Sequence, residues 1–273
     1  MLLWIFALVS LSFGLGAGIA WGWPLGLGFF LKALALGIGT FVGLILAFAL
    51  LVALSAAFID PTRPCEKDSP YYRWLTNQVM LLGVVFGRIR IHVTGLEKVP
   101  RQGRFLLVIN HLFDLDPLVI LRVLKDRQLA FVSKKENDRI PIVGKVMHKI
   151  LCLPIDREND REALKTIVKA ISYLKEDKVS MAIFPEGYVS KTGQLQPFRN
   201  GAFKIAQKAQ VPMVVAVLHN TQAIGKNMFR RTTHVHLDFL QTLQPAELTG
   251  VATKEVGDRV HRLMEQGLSR YEG

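Results

Sequence analysis

Charge is almost missing from the first 59 residues of this 273-residue chain, where Lys32 is the one charged side chain. Cysteine is scarce as well. Cys65 and Cys152 stand far apart without Cys-x-x-Cys spacing, which points to neither a disulfide framework nor a thiolate metal site and fits a reducing compartment. The seven histidines never fall into His-x-x-x-His or His-Glu-x-x-His. His234 and His236 share a face of a strand-like run but have no third ligand within sequence reach, so no metal is expected. There is no Gly-x-Ser-x-Gly, hence no serine nucleophile elbow. Zinc-finger spacing, an RNP-type aromatic pattern and a basic helix register are also missing, so nucleic acid is not an expected partner. No cationic segment precedes the first apolar run, which argues against a secretory signal peptide.

What is present is distributed unevenly. Half of the residues are hydrophobic, and the excess sits at the front. Residues 60 to 273 carry +11 of the formal net charge of +12. A basic domain behind an apolar leader suits anionic partners such as lipid head groups, phosphorylated substrates or an acidic carrier protein. Membrane lipids are the simplest of these.

The leader reads as two apolar segments. Met1 to Ala20 is interrupted by Trp21-Gly22-Trp23-Pro24, an interfacial type of turn, and a second segment runs from about Leu25 to Ile59. A bilayer core needs about 20 helical residues, so the second segment is long enough to span with tilt, and the first is barely so. Spanning the bilayer and dipping into one leaflet both remain open. Gly14 and Gly18, and again Gly39 and Gly43, repeat at four-residue spacing, which favours close approach of two helices. Arg63, Lys67, Arg73, Arg88 and Arg90 follow the second segment, so the positive-inside bias puts the large domain on the cytoplasmic side.

After Pro61, Pro64 and Pro70, an amphipathic helix is expected around Tyr71 to Phe86. Ile89, Ile91 and Val93 then alternate with polar residues as in a strand with one wetter face. Further strands are expected at 104–109, 129–133, 150–155, 179–184, 212–218 and 235–240. The expected helices lie at 117–124, across Pro141, at 161–176 with Leu164, Ile167, Val168, Ile171 and Leu174 on one stripe, at 201–209, and at the end with Val256, Val260, Leu263 and Met264 inward. Such alternation predicts an α/β fold, a mixed and largely parallel sheet flanked by helices, with the hydrophobic helical hairpin in front. Ligands on such sheets gather at the carboxyl ends of strands, and His111, Asp156 and Glu186 each lie just past one.

In Asn110-His111-Leu112-Phe113-Asp114-Leu115-Asp116-Pro117, a buried run delivers a histidine and an aspartate follows five positions later. A neutral imidazole takes a proton from an alcohol when a carboxylate holds its other ring nitrogen as N–H. Without a protein nucleophile, that alcohol belongs to a substrate. A plain hydrogen-bonding histidine and an aspartate capping a helix remain the bland alternative.

Asn110-His111-x4-Asp116, Ile155-Asp156-Arg157, Phe184-Pro185-Glu186-Gly187 and Val211-Pro212-Met213-Val214-Val215, in this order, resemble the 1-acylglycerol-3-phosphate acyltransferase family of lysophospholipid acyltransferases. The resemblance covers roughly residues 90 to 220. It implies a glycerolipid acyltransferase-like fold and transfer of a fatty acyl group from acyl-ACP or acyl-CoA, a co-substrate rather than a cofactor, to the free hydroxyl of a lysophospholipid. It makes His111 the general base, Asp116 its orienting partner in preference to Asp114, and Glu186 a contact to the acceptor's glycerol or polar head. Asn110, Gly187, Arg157, Lys134 and Lys135 complete the expected substrate-binding set. The family pattern usually continues the third block with Thr-Arg-Ser, whose arginine contacts phosphate. Here it reads Tyr188-Val189-Ser190, which leaves Arg157 as first choice for that contact, with Lys134, Lys135, Lys191 and Arg199 behind it. The fourth block has Ala216 where a second proline is usual. The expected organisation is therefore a membrane-anchoring hairpin at 1–59, a linker with an amphipathic helix at 60–88, and an acyltransferase catalytic domain at 89–273. Phosphatidic acid formation from lysophosphatidic acid is the leading expectation. A different lysolipid acceptor, and a non-enzymatic lipid-binding protein on the same fold, are the alternatives.

Overall fold

The computed structural model describes residues 2–190 and 192–271. The chain divides into two compact units, Met1–Asp60 and Pro61–Gly273.

In the first unit, α1 (Leu2–Ala20) and α2 (Leu27–Ala57) form a hairpin. Both are apolar all round, and both are long and apolar enough to cross a membrane. At 1.5 Å per residue they measure roughly 28 and 46 Å, against a hydrocarbon core of about 30 Å. Glycine sets their approach. A Cβ at Gly14 would collide with the Ala33 carbonyl, one at Gly18 would meet the Phe29 ring, and one at Gly37 would lie 3.2 Å from the Ser10 carbonyl. Those pairings run in opposite order along the two helices, so they are antiparallel. Gly39 and Gly43, the second expected pair, face open space. The contact stripe of α2 is set by Ala33 and Gly37 instead, one turn apart.

The second unit begins with α3 (Pro70–Phe86), with proline in its first turn and Ser69 as its N-cap. The division into two units groups α3 with the sheet that follows it. Arg73 fixes it there. Its guanidinium meets Asp68 at 2.7 Å and donates to the backbone carbonyls of Leu129 and Ile150. Both side chains of the ion pair are largely shielded from water, at 11% and 5% exposure.

The order that follows is β1 (Ile89–Thr94), β2 (Leu106–Ile109), α4 (Asp116–Val123), β3 (Leu129–Lys134), α5 (Val143–Lys149), β4 (Leu153–Ile155), α6 (Asp160–Lys175), β5 (Ser180–Ile183), α7 (Lys204–Ala209), β6 (Met213–His219), α8 (Ala223–Asn227), β7 (Thr233–Leu243), α9 (Pro245–Leu248) and α10 (Thr253–Leu268). The strands form one sheet in the order β1-β7-β6-β2-β5-β3-β4. Every neighbouring pair is parallel except β6 with β7. The α/β expectation therefore holds, with β1 and β7 running against the other five. Strand β2 lies between β6 and β5, and all four of its residues are fully buried. That burial on both faces is why its sequence is an unbroken apolar run rather than an alternation. The carboxyl ends of β2, β5, β3 and β4 share one edge of the sheet, where the site is built.

Two elements depart from expectation. Leu164 and Val168 on α6 are 60% and 58% exposed, while Ile167, Ala170, Tyr173 and Leu174 are buried. At 100° per residue, positions 167, 170, 171 and 174 share a narrower arc, and 164 with 168 fall beyond its edge. Pro141 lies outside a helix: a 3-10 turn, Lys135–Arg139, precedes it and α5 starts after it. Proline lacks the N–H a helix interior requires.

Truncation of Arg73 to alanine strands a buried carboxylate and two carbonyls. Arg73→Ala is expected to cost about 3–5 kcal/mol of stability, measurable as a lowered urea midpoint of the full chain. An unchanged midpoint would remove Arg73 as the tie between α3 and the sheet.

Candidate active site

The residues after β2 form a tight structure around one carboxylate. Asp116 opens α4 and is fully buried. Its Oδ2 accepts from the backbone N–H of Leu112 at 2.7 Å and of Phe113 at 3.0 Å, and lies 2.8 Å from His111 Nδ1. A carboxylate in this role accepts, so Nδ1 carries the hydrogen and Nε2 is the free lone pair. The Asp116 N–H in turn donates to the Phe113 carbonyl at 2.9 Å, closing a turn that no longer spacing would allow. Among the described residues Asp114 makes no bond to His111. The imidazole, 12% exposed, stacks on the Phe184 ring at 4.0 Å and 12° between planes. Phe131 stacks behind Phe184. The histidine is thereby held by a bond on one ring atom and by a flat apolar surface on one face.

Asn110, expected among the substrate contacts, is 1% exposed and bonded to the neighbouring strand. Its Nδ2 donates to the Leu218 carbonyl at 3.0 Å, and its Oδ1 accepts from the Leu218 N–H at 2.7 Å. The side chain thus acts as one more rung between β2 and β6, fixing the exit of β2 just before His111. One donor and one lone pair of the amide are thereby committed to β6.

The strand end beside β2 is that of β5, and it brings Glu186 next to His111. Glu186 is 1% exposed and neither carboxylate oxygen reaches hydrogen-bond geometry with a protein partner among the described residues. Burial pushes its carboxyl up to about 8 from the ordinary 4.5, and the charge of Asp116 adds to the rise. The nearby backbone N–H groups of His111 and Gln196 offset only part of it. Near neutral pH this group is largely a protonated acid, able to donate a hydrogen bond. Gly187 follows at φ +83°, and a Cβ there would lie 3.0 Å from Arg199 Nε. Both the turn and the arginine's approach require glycine.

The loop beyond is tied down at both ends. Ser190 N–H donates to the His111 carbonyl at 2.8 Å, and Arg199 N–H to the Pro185 carbonyl at 2.8 Å. Arg199 then donates from Nη1 to the Arg157 carbonyl at 3.3 Å. Arg157 is half-buried, and both that burial and the neighbouring Arg199 charge lower its pKa. Among the described residues neither guanidinium has a carboxylate within ion-pair distance, so the two cations face an unmet need for an anion. The lysines differ. Lys135 pairs with Asp156 at 3.0 Å, and Lys134 lies 3.8 Å from Glu136. Their charge is already balanced locally, which makes them weaker candidates than their spacing suggested. Lys191 lies outside the described residues.

A surface hollow of about 380 Å³ lined by Arg104, Gln128 and Asp177 lies at the opposite, amino end of the strands and contains none of these residues. In the sequence Arg199 stands behind Arg157 and the lysines as a candidate, and Phe184 has no role beyond belonging to the third block. The signal for Phe184 was its place within the third block. For Arg199, a dozen positions past Gly187, no spacing rule pointed to it.

A protein-family model described as Acyltransferase matches residues 90–219. Over that segment, nearly half of its length, the chain is similar to this acyltransferase family. The 1-acyl-sn-glycerol-3-phosphate acyltransferase of Borreliella burgdorferi is 31% identical over 133 residues, 49% of this chain and 52% of that protein. The alpha form of the same enzyme from Mus musculus is 29% identical over 168 residues, 62% of this chain and 59% of that one. The chain thus spans little more than half the length of these relatives. The crystal structure of the 1-acyl-sn-glycerophosphate (LPA) acyltransferase PlsC from Thermotoga maritima has the same fold. Its TM-score is 0.61 at 21% identity, with 83% of this chain and 89% of that chain covered. The matched family segment begins within β1 and ends with β6, so it contains every site residue described above.

Glu186 generates a pH dependence whose sign follows from linkage. A carboxyl that holds its proton more tightly when folded contributes stability that is complete below about 4.5 and is lost as pH rises through about 8. Unfolding free energy from urea titrations is therefore expected to fall between pH 5 and 8.5. Glu186→Gln, a mimic of the neutral acid, is expected to flatten that fall; an equal slope in both proteins would mean that the buried acid is not its source.

Proposed function

We propose that this protein transfers a fatty acyl group from a coenzyme A or acyl carrier protein thioester to the free hydroxyl of 1-acylglycerol-3-phosphate, giving phosphatidic acid. The observation that carries the proposal is the 2.8 Å contact between His111 Nδ1 and Asp116, which leaves Nε2 available as a base. No protein hydroxyl or thiol is bonded to that imidazole among the described residues, so the alcohol it activates is the acceptor's.

The chemistry is direct. Nε2 takes the proton as the acceptor oxygen attacks the thioester carbonyl carbon, and Asp116 steadies the imidazolium that forms. As the carbon–sulfur bond breaks, the thiolate recovers that proton, and an ester and a free thiol leave the enzyme. Glu186, protonated and buried, donates to an oxygen of the acceptor's glycerol. Arg157 and Arg199 take the phosphate, supplying the bidentate recognition that Val189 cannot. The apolar hairpin of the first unit keeps the domain at the bilayer where acceptor and product reside. The arginine and lysine bias after it puts the domain on the cytoplasmic side, the side of soluble acyl donors.

A second reading changes only the acceptor. Val189 in place of the usual arginine, with both alternative cations on other segments, suits a lysolipid whose head group is larger than a bare phosphate.

His111→Ala is expected to lower acyl transfer by about a thousandfold or more with the circular dichroism spectrum unchanged, in an assay of labelled thioester against a panel of lysolipids. Retained turnover would sink the mechanism. Arg157→Ala and Arg199→Ala are each expected to raise KM for lysophosphatidic acid about tenfold, with a smaller change in kcat. Unchanged KM values in both variants, beside a preferred acceptor other than lysophosphatidic acid, would decide for the second reading.

A further inference from the structure

Between the 3-10 turn at Lys135–Arg139 and α5, the chain makes a costly turn. Ile142 sits at φ 66° and ψ −56°, and the Val143 N–H donates across it to the Pro141 carbonyl at 2.7 Å. This is the rare, φ-positive form of γ-turn, and at its centre is a β-branched residue, for which positive φ is a genuine outlier. The turn is well braced. Gly144 N–H donates to the Ile140 carbonyl at 3.0 Å and Val146 N–H to the Ile142 carbonyl at 2.9 Å. The backbone of Asp138 lies so close to Gly144 that no Cβ could be placed there. Strain persists where surrounding structure over-determines it, and it concentrates at functional sites.

What the brace displays is apolar. Ile140, Ile142 and Val143 are 46%, 37% and 47% exposed, consecutive but for the exposed Pro141. Arg139 precedes them, with Lys145 and Lys149 following on α5, and among the described residues none of these three cations is paired with a carboxylate. An apolar tip with unbalanced basic flanks matches an anionic lipid surface in both hydrophobicity and charge. Its place in the fold agrees. β3 runs parallel to β5, which in turn runs parallel to β2, so the segment leaving β3 emerges at the same sheet edge as His111 and Glu186.

We infer that Ile140–Val143 is a second, independent membrane contact: a rigid apolar wedge, flanked by Arg139, Lys145 and Lys149, that enters the anionic leaflet beside the mouth of the site. The inference concerns lipid contact by the second unit and stands whether or not the proposed acyl transfer does. A flexible loop would lose conformational entropy on insertion, whereas a braced turn loses little.

The test uses the full chain in a Cys65→Ser background. The remaining Cys152 is buried with its thiol pushed up to about 11, which protects it from labelling. Ile142→Cys carries an environment-sensitive fluorophore, and Gln102→Cys, exposed before the amino end of β2, carries the same label as reference. Both are reconstituted into vesicles of phosphatidylcholine with or without phosphatidylglycerol, each containing nitroxide-labelled lipid. Quenching at 142 is expected to exceed that at 102 at least twofold with phosphatidylglycerol, and to fall when that lipid is omitted or salt is raised. Quenching at 142 no greater than at 102, or indifferent to phosphatidylglycerol, would overturn the inference. Val143→Cys, where the backbone is helical, repeats the measurement at a position that tolerates substitution and keeps the test decisive if Ile142→Cys folds poorly. Because the readout is quenching, its failure leaves acyl transfer untouched, and loss of acyl transfer leaves it unaffected.

Discussion

One oxygen atom organises the site. Asp116 Oδ2 gathers three N–H groups, from the His111 ring and from the backbones of Leu112 and Phe113, while the aspartate itself starts α4. In a fully buried position each of those contacts is worth more than in water, and removing the acceptor would leave three donors unsatisfied together. The same atom therefore sets the ring's tautomer, the direction of the chain leaving β2, and the origin of the helix that follows. Asn110 reinforces this from the other side by clamping the strand exit to Leu218. The imidazole of His111 is thus placed by backbone geometry and by one buried carboxylate.

Around that imidazole the electrostatics are divided. The acid beside it, Glu186, is buried and pushed toward neutrality by that burial, whereas Arg157 and Arg199 lie together with no carboxylate within ion-pair distance among the described residues. A neutral donor and an unsatisfied positive pair suit a ligand with a hydroxylated backbone and an anionic head. A site whose lysines carried the charge would be different, because Lys134 and Lys135 are held by Glu136 and Asp156. Local pairing, not the count of basic residues, decides which cations remain for a ligand.

Much of this was legible in the sequence, for reasons that can be named. The five-residue separation of His111 from Asp116 is short enough that local geometry determines it, and the unbroken apolar run before it marks a strand buried on both faces. The third block announces Glu186 for the same reason. What failed to appear depends on distant partners. Asn110 adjoins His111 in sequence, and only the neighbour strand β6 reveals the bonds its amide makes to Leu218. Arg199 reaches Gly187 and Arg157 through a loop whose path the sequence does not encode by spacing. Leu164 and Val168 looked inward because a helical stripe fixes relative angles but not the width of the face that the rest of the protein covers. The packing of α3 was similarly hidden, since Arg73 reads as a surface charge until Leu129, Ile150 and Asp68 are placed around it.

The outermost strand carries a consequence for biosynthesis. β1 has a single neighbour, β7, and the side chains of His92 and His234, which meet across that pair, are 142 positions apart. At a translation rate of about 5–20 residues per second, that gap corresponds to a wait on the order of ten seconds. For that interval the first strand to leave the ribosome has no sheet to join, while the apolar helices ahead of it are already seeking lipid. Its alternation of Ile89, Ile91 and Val93 with Arg90 and His92 keeps one face charged or polar, a composition that discourages pairing with other nascent chains. The late-made β7 thus acts as the clasp that completes the sheet.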